Sequence, residues 1–132
     1  MRAKPFTVPF EVRDYECDLQ GIVNNAVYQQ YLEHARHQFI KSRGLSFATL
    51  TRDGVHLVVV RAELDYKSPL RSGDRFVVGV RFEPRSPVRC EFLQEVRRVP
   101  DRRVMLAATI TCAAMNDRGT LIRLPAAVEA LR

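Results

Sequence analysis

No stretch of this 132-residue chain is apolar for long enough to cross a bilayer as a helix, which removes a transmembrane span. The opening MRAKPFTVPF holds no apolar segment of signal-peptide length, and its two basic residues, Arg2 and Lys4, do not make a transit peptide. Cysteine is scarce. Cys17, Cys90 and Cys112 are odd in number and show no CxxC spacing, which argues against a disulfide framework and against a zinc site. A reducing compartment fits such usage. The expected location is the cytoplasm, or the plastid stroma if the chain is processed from a longer precursor. There is no GxSxG element and no glycine-rich phosphate loop, so a serine nucleophile elbow and a nucleotide cradle are both absent. No internal repeat, linker or low-complexity segment is visible.

What is there reads as one domain with a real core. Apolar residues make up 46% of the chain, ordinary for a globular protein. Lysine and arginine outnumber aspartate and glutamate by 21 to 15, a formal charge of +6. Such an excess suits an anionic partner: nucleic acid, a membrane surface, a phosphorylated cofactor or an acidic carrier protein. A solubilising surface explains it equally well. A nucleic-acid binder would interleave aromatics with arginines on exposed strands. Phe76, Phe82 and Phe92 instead alternate as core residues do.

The periodicity changes along the chain. Residues 6–14 alternate Phe6, Val8, Phe10 and Val12 with polar or small neighbours, a strand whose Pro9 marks an edge or a bulge. From Asn25 to about Arg43 the apolar positions Tyr28, Tyr31, Leu32, Ala35, Phe39 and Ile40 recur at spacings of three and four. They predict one long helix, capped by Asn24 or Asn25 and stopped at Gly44. A short helix is expected over 46–52. Strands follow at 55–66, 75–84, 89–99 and 103–116, the last so rich in small residues that it reads as buried on both faces. The tail, LIRLPAAVEALR, is expected to be a strand and one helical turn. One strand, one long helix and four more strands make an α+β domain with an antiparallel sheet. A single helix covers one face only. The other face, or the small-residue strand at an edge, would then pair with a second copy, giving a homodimer or homotetramer.

The chemistry concentrates in YECDLQGIVNNAVYQQYLEHAR, residues 15–36. Asp18 stands in a polar loop, Gly21 follows, and Asn24 and Asn25 precede the helix. A carboxylate beside a helix N-terminus can supply or activate a nucleophile while the helix amides stabilise an oxyanion. The alternative for Asp18 is a solvated loop acid or a helix cap.

Together these features resemble the hotdog fold, an antiparallel sheet of five or six strands wrapped around one long central helix. VRDYECDLQGIVNNAVYQQYLEHAR is similar to the motif of the 4-hydroxybenzoyl-CoA thioesterase family. LDYKSPLRSGDRFVV resembles a later family segment. Within that family the NNAVY form is most similar to plant and cyanobacterial-type acyl thioesterases acting on acyl carrier protein or acyl-CoA. The resemblance implies hydrolysis of an acyl thioester with no cofactor and no metal. It implies that Asp18 is the catalytic carboxylate and that the backbone N–H of Asn25 is the oxyanion donor. Gly21 and Asn24 would position that donor. Two departures stand out. Glu16 replaces the aspartate two residues before Asp18. Asn24 and Asn25 stand where aryl-CoA enzymes carry aromatics, which points away from an aryl substrate and leaves it, with a non-hydrolytic acyl-binding protein, as an alternative.

Other residues carry weaker signals. Tyr28 and Tyr31 match the packing face, with a role as acyl-tunnel walls as the alternative. Arg71, Arg85 and Arg89 lie in or beside loops where guanidinium groups could hold CoA phosphates or an acidic carrier surface. Glu33 is expected on the helix surface, paired with Arg36 or His37. His34 and His37 are three apart but lack an evident third metal ligand. His56 is expected to be packed and hydrogen-bonded. Cys17, beside Asp18, is expected to be a half-buried thiol rather than a nucleophile.

Overall fold

A computed structural model describes residues 5–132; Arg2 and Lys4 lie outside them. Five strands form one sheet in the order β1-β3-β4-β5-β2, every neighbouring pair antiparallel. They are β1 (Phe6–Glu11), β2 (His56–Tyr66), β3 (Arg75–Pro84), β4 (Arg89–Val99) and β5 (Val104–Met115). The five strands expected before residue 117 are present, whereas the strand expected in the tail is reduced to a single bridge at Leu121. Pro9 lies in β1, an edge strand, where a missing N–H is tolerated.

The long helix α1 runs Asn25–Ser42 and buries the predicted stripe: Tyr28, Tyr31, Leu32, Ala35, Phe39 and Ile40. Its end is a Schellman arrangement. Leu45 N–H reaches Ile40 C=O at 3.0 Å and Gly44 N–H reaches Lys41 C=O at 3.0 Å. Gly44 adopts φ +81°, a conformation that side chains with a Cβ rarely take. The short helix α2 (Phe47–Arg52) starts on Ser46, whose Oγ accepts from Thr49 N–H at 3.0 Å.

The helix face and the inner sheet face make one core, with Phe39, Phe76 and Phe92 fully buried. Cys90 and Cys112 face each other across β4 and β5 inside it. Arg36 is buried as well. Its Nη1 donates to Gln94 Oε1 at 3.1 Å, and Gln94 Nε2 donates to Leu32 C=O at 3.0 Å. Burial lowers the Arg36 pKa. Glu33 is therefore not its ion-pair partner; the exposed Glu33 faces His37 at 3.8 Å. His34 packs edge-on against Phe10. His56 Nε2 meets Asp117 Oδ1 at 2.7 Å.

One placement differs from the sequence expectation. The small-residue strand β5 is not an edge: it lies between β4 and β2, and its outward Ala107, Thr109 and Thr111 are only partly covered. The sheet ends in β1 on one side and in β2 on the other. Strand β2 carries exposed Val58, Val59 and Val60 beside an irregularity between Val59 and Arg61. The tail pairs Leu121 with Met115, then forms the turn α3 (Ala126–Glu129), and Leu124, Val128 and Leu131 close the core. No helix among the described residues is long and apolar enough to cross a membrane.

Candidate active site

The chain between β1 and α1 is a folded loop whose bonds follow from its residues. A 3-10 turn covers Asp14–Glu16. After it, Cys17 bridges to Val23, and Asp18 N–H donates to Ile22 C=O at 2.9 Å. Asp18 Oδ1 accepts from Gln20 N–H at 2.9 Å, and Gly21 N–H returns to Asp18 C=O at 3.0 Å. This is the local turn that a short acidic side chain favours. Gly21 closes it with φ +79°, which only glycine adopts without strain. Asp18 is left on the surface of the loop with its carboxylate reachable from solvent.

Asn24 is the N-cap of α1. Its Oδ1 accepts from Ala26 N–H at 2.9 Å, and its carbonyl accepts from Val27 N–H at 2.9 Å. Those bonds take the second and third amides of the helix. The first, Asn25 N–H, belongs to the group that a helix leaves without an internal acceptor, at the positive end of its dipole.

Asp18 and Asn25 line one cavity of about 350 Å³ together with Ile22, Val23 and Tyr28. Its far wall comes from the end of β2 and the segment after it: Tyr66, Lys67, Ser68 and Pro69. Tyr66 is 52% exposed, its ring lies 5.5 Å from that of Tyr28, and its hydroxyl donates to Asn25 C=O at 3.1 Å. Tyr28 Oη accepts from the buried Leu70 N–H at 3.0 Å. Val23 N–H donates to Leu70 C=O at 2.9 Å, and Ile22 bridges to Arg71. Two loops distant in sequence are thus laced together around the cavity.

Burial raises the pKa of both Tyr28 and Tyr31; for Tyr31 the adjoining Glu16 carboxylate adds to it. Both phenols therefore stay protonated at neutral pH. Loss of water, then the nearby Asp14, Asp18 and Glu16 carboxylates, pushes the Cys17 thiol up too. It is the reverse of the environment that activates a cysteine.

The predicted site residues thus fall into two groups. Asp18, Asn25 and Tyr28 line the cavity; Gly21 and Asn24 shape its loop, and Arg71 is not part of the lining but bridges through its backbone to Ile22, which is. Arg85 and Arg89 are elsewhere in the chain. They flank the β3–β4 hairpin, whereas the cavity is at the sheet end holding Arg75 and Tyr66. The strand between spans about 30 Å at roughly 3.3 Å per residue. Arg85 Nε is occupied by Glu91 Oε1 at 2.5 Å. Of EPRSPVR only residues 85–88 form the loop, with Glu83 and Pro84 in β3 and Arg89 in β4, and the length of β3 carries that loop away from the cavity. Tyr66, Lys67, Ser68 and Pro69 were not singled out as site residues, although LDYKSPL carried the signal. Glu16 was noted only as a departure from the motif.

Residues 12–130 match the family model described as the thioesterase-like superfamily. The chain belongs to that superfamily. Over 122 residues it is 35% identical to the acyl-acyl carrier protein thioesterase ATL3, chloroplastic, of Arabidopsis thaliana. The alignment covers 92% of this chain but 64% of the plant protein, so the chain spans less than two thirds of that relative. A crystal structure of a hypothetical protein from Aquifex aeolicus superposes with a TM-score of 0.89 at 28% identity, covering 96% of this chain and 98% of that one. A 1,4-dihydroxy-2-naphthoyl-CoA thioesterase from Synechocystis superposes at 0.90 with 21% identity, covering 96% and 93%. At that identity the second likeness speaks for the fold, which is the hotdog fold.

Proposed function

We propose that the chain hydrolyses an acyl thioester, carried on CoA or on an acyl carrier protein, to the free acid and thiol. One observation carries the proposal: Asp18 and the first helix residue, Asn25, line the same cavity. A thioester needs little else. Its leaving thiol has an ordinary pKa of about 8.5, so it departs as thiolate with little proton assistance. In this proposal Asp18 attacks the carbonyl itself or takes a proton from the attacking water. The Asn25 N–H, backed by the dipole of α1, receives the tetrahedral oxyanion; losing one such donor typically costs ~10²–10³ in rate. Gly21 and Asn24 hold Asp18 and that amide in place. Tyr28 forms part of the acyl wall, and Arg71 meets carrier phosphate beside the cavity. Arg85 and Arg89 have no part in the site of their own chain.

The name of the plant relative supports an acyl group on a carrier protein. A second substrate, an aryl thioester, is favoured by the exposed Tyr66 ring, which offers the aromatic surface that Asn24 and Asn25 do not. A steady-state panel of short, medium and long acyl-CoA, an aryl-CoA and the matching acyl carrier proteins separates them. Aliphatic thioesters are expected to be cleaved fastest. Binding without turnover on every member would replace hydrolysis with a non-catalytic acyl-binding role.

The protein is proposed to work as a homodimer, in which β2 pairs with β2 of a second copy. Among the described residues β2 is bonded on one side only, and its exposed Val58, Val59 and Val60 resemble an unfinished interior. Sedimentation is expected to show a dimer or tetramer, and Val59→Lys to shift it toward monomer. The three free thiols suit a reducing compartment.

A further inference from the structure

Glu16 is a buried carboxylate that the hydrolytic chemistry above does not use. Only 8% of it is exposed, and among the described residues no lysine or arginine is tightly paired with it: the Arg13 guanidinium stays 3.9 Å away. Burying a carboxylate costs stability unless hydrogen bonds replace the lost water. Here they do. Glu16 Oε1 accepts from Tyr31 O–H at 2.8 Å and from Arg13 N–H at 2.8 Å. The same residue's backbone carbonyl accepts from Asn24 N–H at 3.0 Å.

These bonds have a particular geometry. Tyr31 is nearly two turns into α1, and Asn24 is its N-cap. Glu16 therefore grips the helix at two points, one by side chain and one by main chain. Two residues later in the same loop comes Asp18. We infer that Glu16, through Tyr31 and Asn24, is a positioning residue that sets the separation between the Asp18 carboxylate and the Asn25 amide. Tyr28 plays the corresponding part on the opposite wall, where it holds Leu70 N–H. Two tyrosines one turn apart on α1 thereby anchor the two loops that enclose the cavity. Glu16 touches no reacting atom; it acts through the groups it aligns. A glutamate reaches Tyr31 with one methylene more than the aspartate of the related motif, so the change at position 16 comes with its own buried partner.

The inference rests on the proposed hydrolysis for its kinetic consequence but not for its structural one, and the test separates the two. Hydrogen exchange at the Asn24 amide reads the grip without any substrate. Faster exchange at Asn24 is expected in Tyr31→Phe and Glu16→Ala, with Glu16→Gln close to wild type because its amide oxygen still accepts both bonds. Unchanged Asn24 protection in Tyr31→Phe and Glu16→Ala would overturn the grip even if no thioester is ever cleaved. With a thioester that the wild type hydrolyses, Glu16→Ala is expected to lower kcat about 10–100-fold while KM stays within about threefold, since sub-ångström to ångström misplacement acts on the transition state more than on binding. Glu16→Gln is expected to recover most of kcat. A Glu16→Ala enzyme with unchanged kcat, or one altered only in KM, would overturn the positioning role. If Glu16→Ala does not fold, Tyr31→Phe decides, because it removes one hydroxyl at nearly constant volume. A kcat equal to wild type in Tyr31→Phe would then count against it.

Discussion

The two ends of the sheet are built on different principles. At the cavity end the polar groups are matched over long sequence distances. Tyr31 reaches Glu16, Leu70 reaches Tyr28, Tyr66 reaches Asn25, and Ser72 Oγ donates to Asp14. At the hairpin end the side chains of the turn itself bond locally, while His56 reaches Asp117 and backbone bonds tie Pro87 and Val88 to Leu124 and Ala114. Arg85 pairs with Glu91, and Ser86 Oγ accepts from Val88 and Arg89 N–H groups within its own turn. Long-range bonds fix one element against another; local ones shape a turn and leave it solvated. Charge alone does not mark the site, because the arginines of the hairpin end are as conspicuous in the sequence as those of the cavity end.

The contrast can be broken at several strengths. Asp18→Asn removes the charge proposed to attack the carbonyl or to activate water, while keeping the turn's acceptor for Gln20 N–H. Thioester hydrolysis is expected to fall by about 10²–10⁴-fold with the melting temperature unchanged. A fully active Asp18→Asn or Asp18→Ala enzyme would sink the catalytic assignment. Next comes Asn24→Ala. It frees Ala26 N–H and is expected to lower stability by about 1 kcal/mol, read by denaturant titration. Because the cap also aims Asn25, a drop in kcat of about tenfold should accompany it, whereas a loss of stability alone would restrict Asn24 to capping. The smallest effect belongs to the other end. Arg85→Gln and Arg89→Gln are each expected to leave kcat/KM for a CoA thioester within about twofold, since the exposed Arg85–Glu91 pair lies in its own hairpin. A tenfold loss in either variant would bring the hairpin into the site, and within a β2-paired dimer the residue would have to reach it from the second copy.

How much of this was legible beforehand depends on the range of the interactions. The α1 stripe and the alternation in β1, β3 and β4 depend on neighbours one to four residues apart; α1, β3 and β4 were read within one residue of their observed limits, while β1 ends at Glu11, three residues before its expected end. The Asp18–Asn25 loop was legible as a motif because its turn is local: an aspartate, a left-handed glycine and a capping asparagine. The edge of the sheet was not. The composition of β5 shows that it is buried, but not that β2 rather than β5 ends the sheet. Strand order is decided by which crossovers the whole chain can make. Nor was the role of Arg36 legible, since its partner Gln94 is 58 residues away.

The sequence by itself determined the α+β element order, the core faces and the position of a carboxylate just ahead of a helix start, all properties of short-range pattern. Only the tertiary structure decided that Tyr66 to Pro69 close the cavity, that Arg85 and Arg89 stand apart from it, and that a buried glutamate joins the Asp18 loop to the helix that follows it. Those facts come from contacts between segments tens of residues apart, and such contacts exist only once the sheet has brought the segments together.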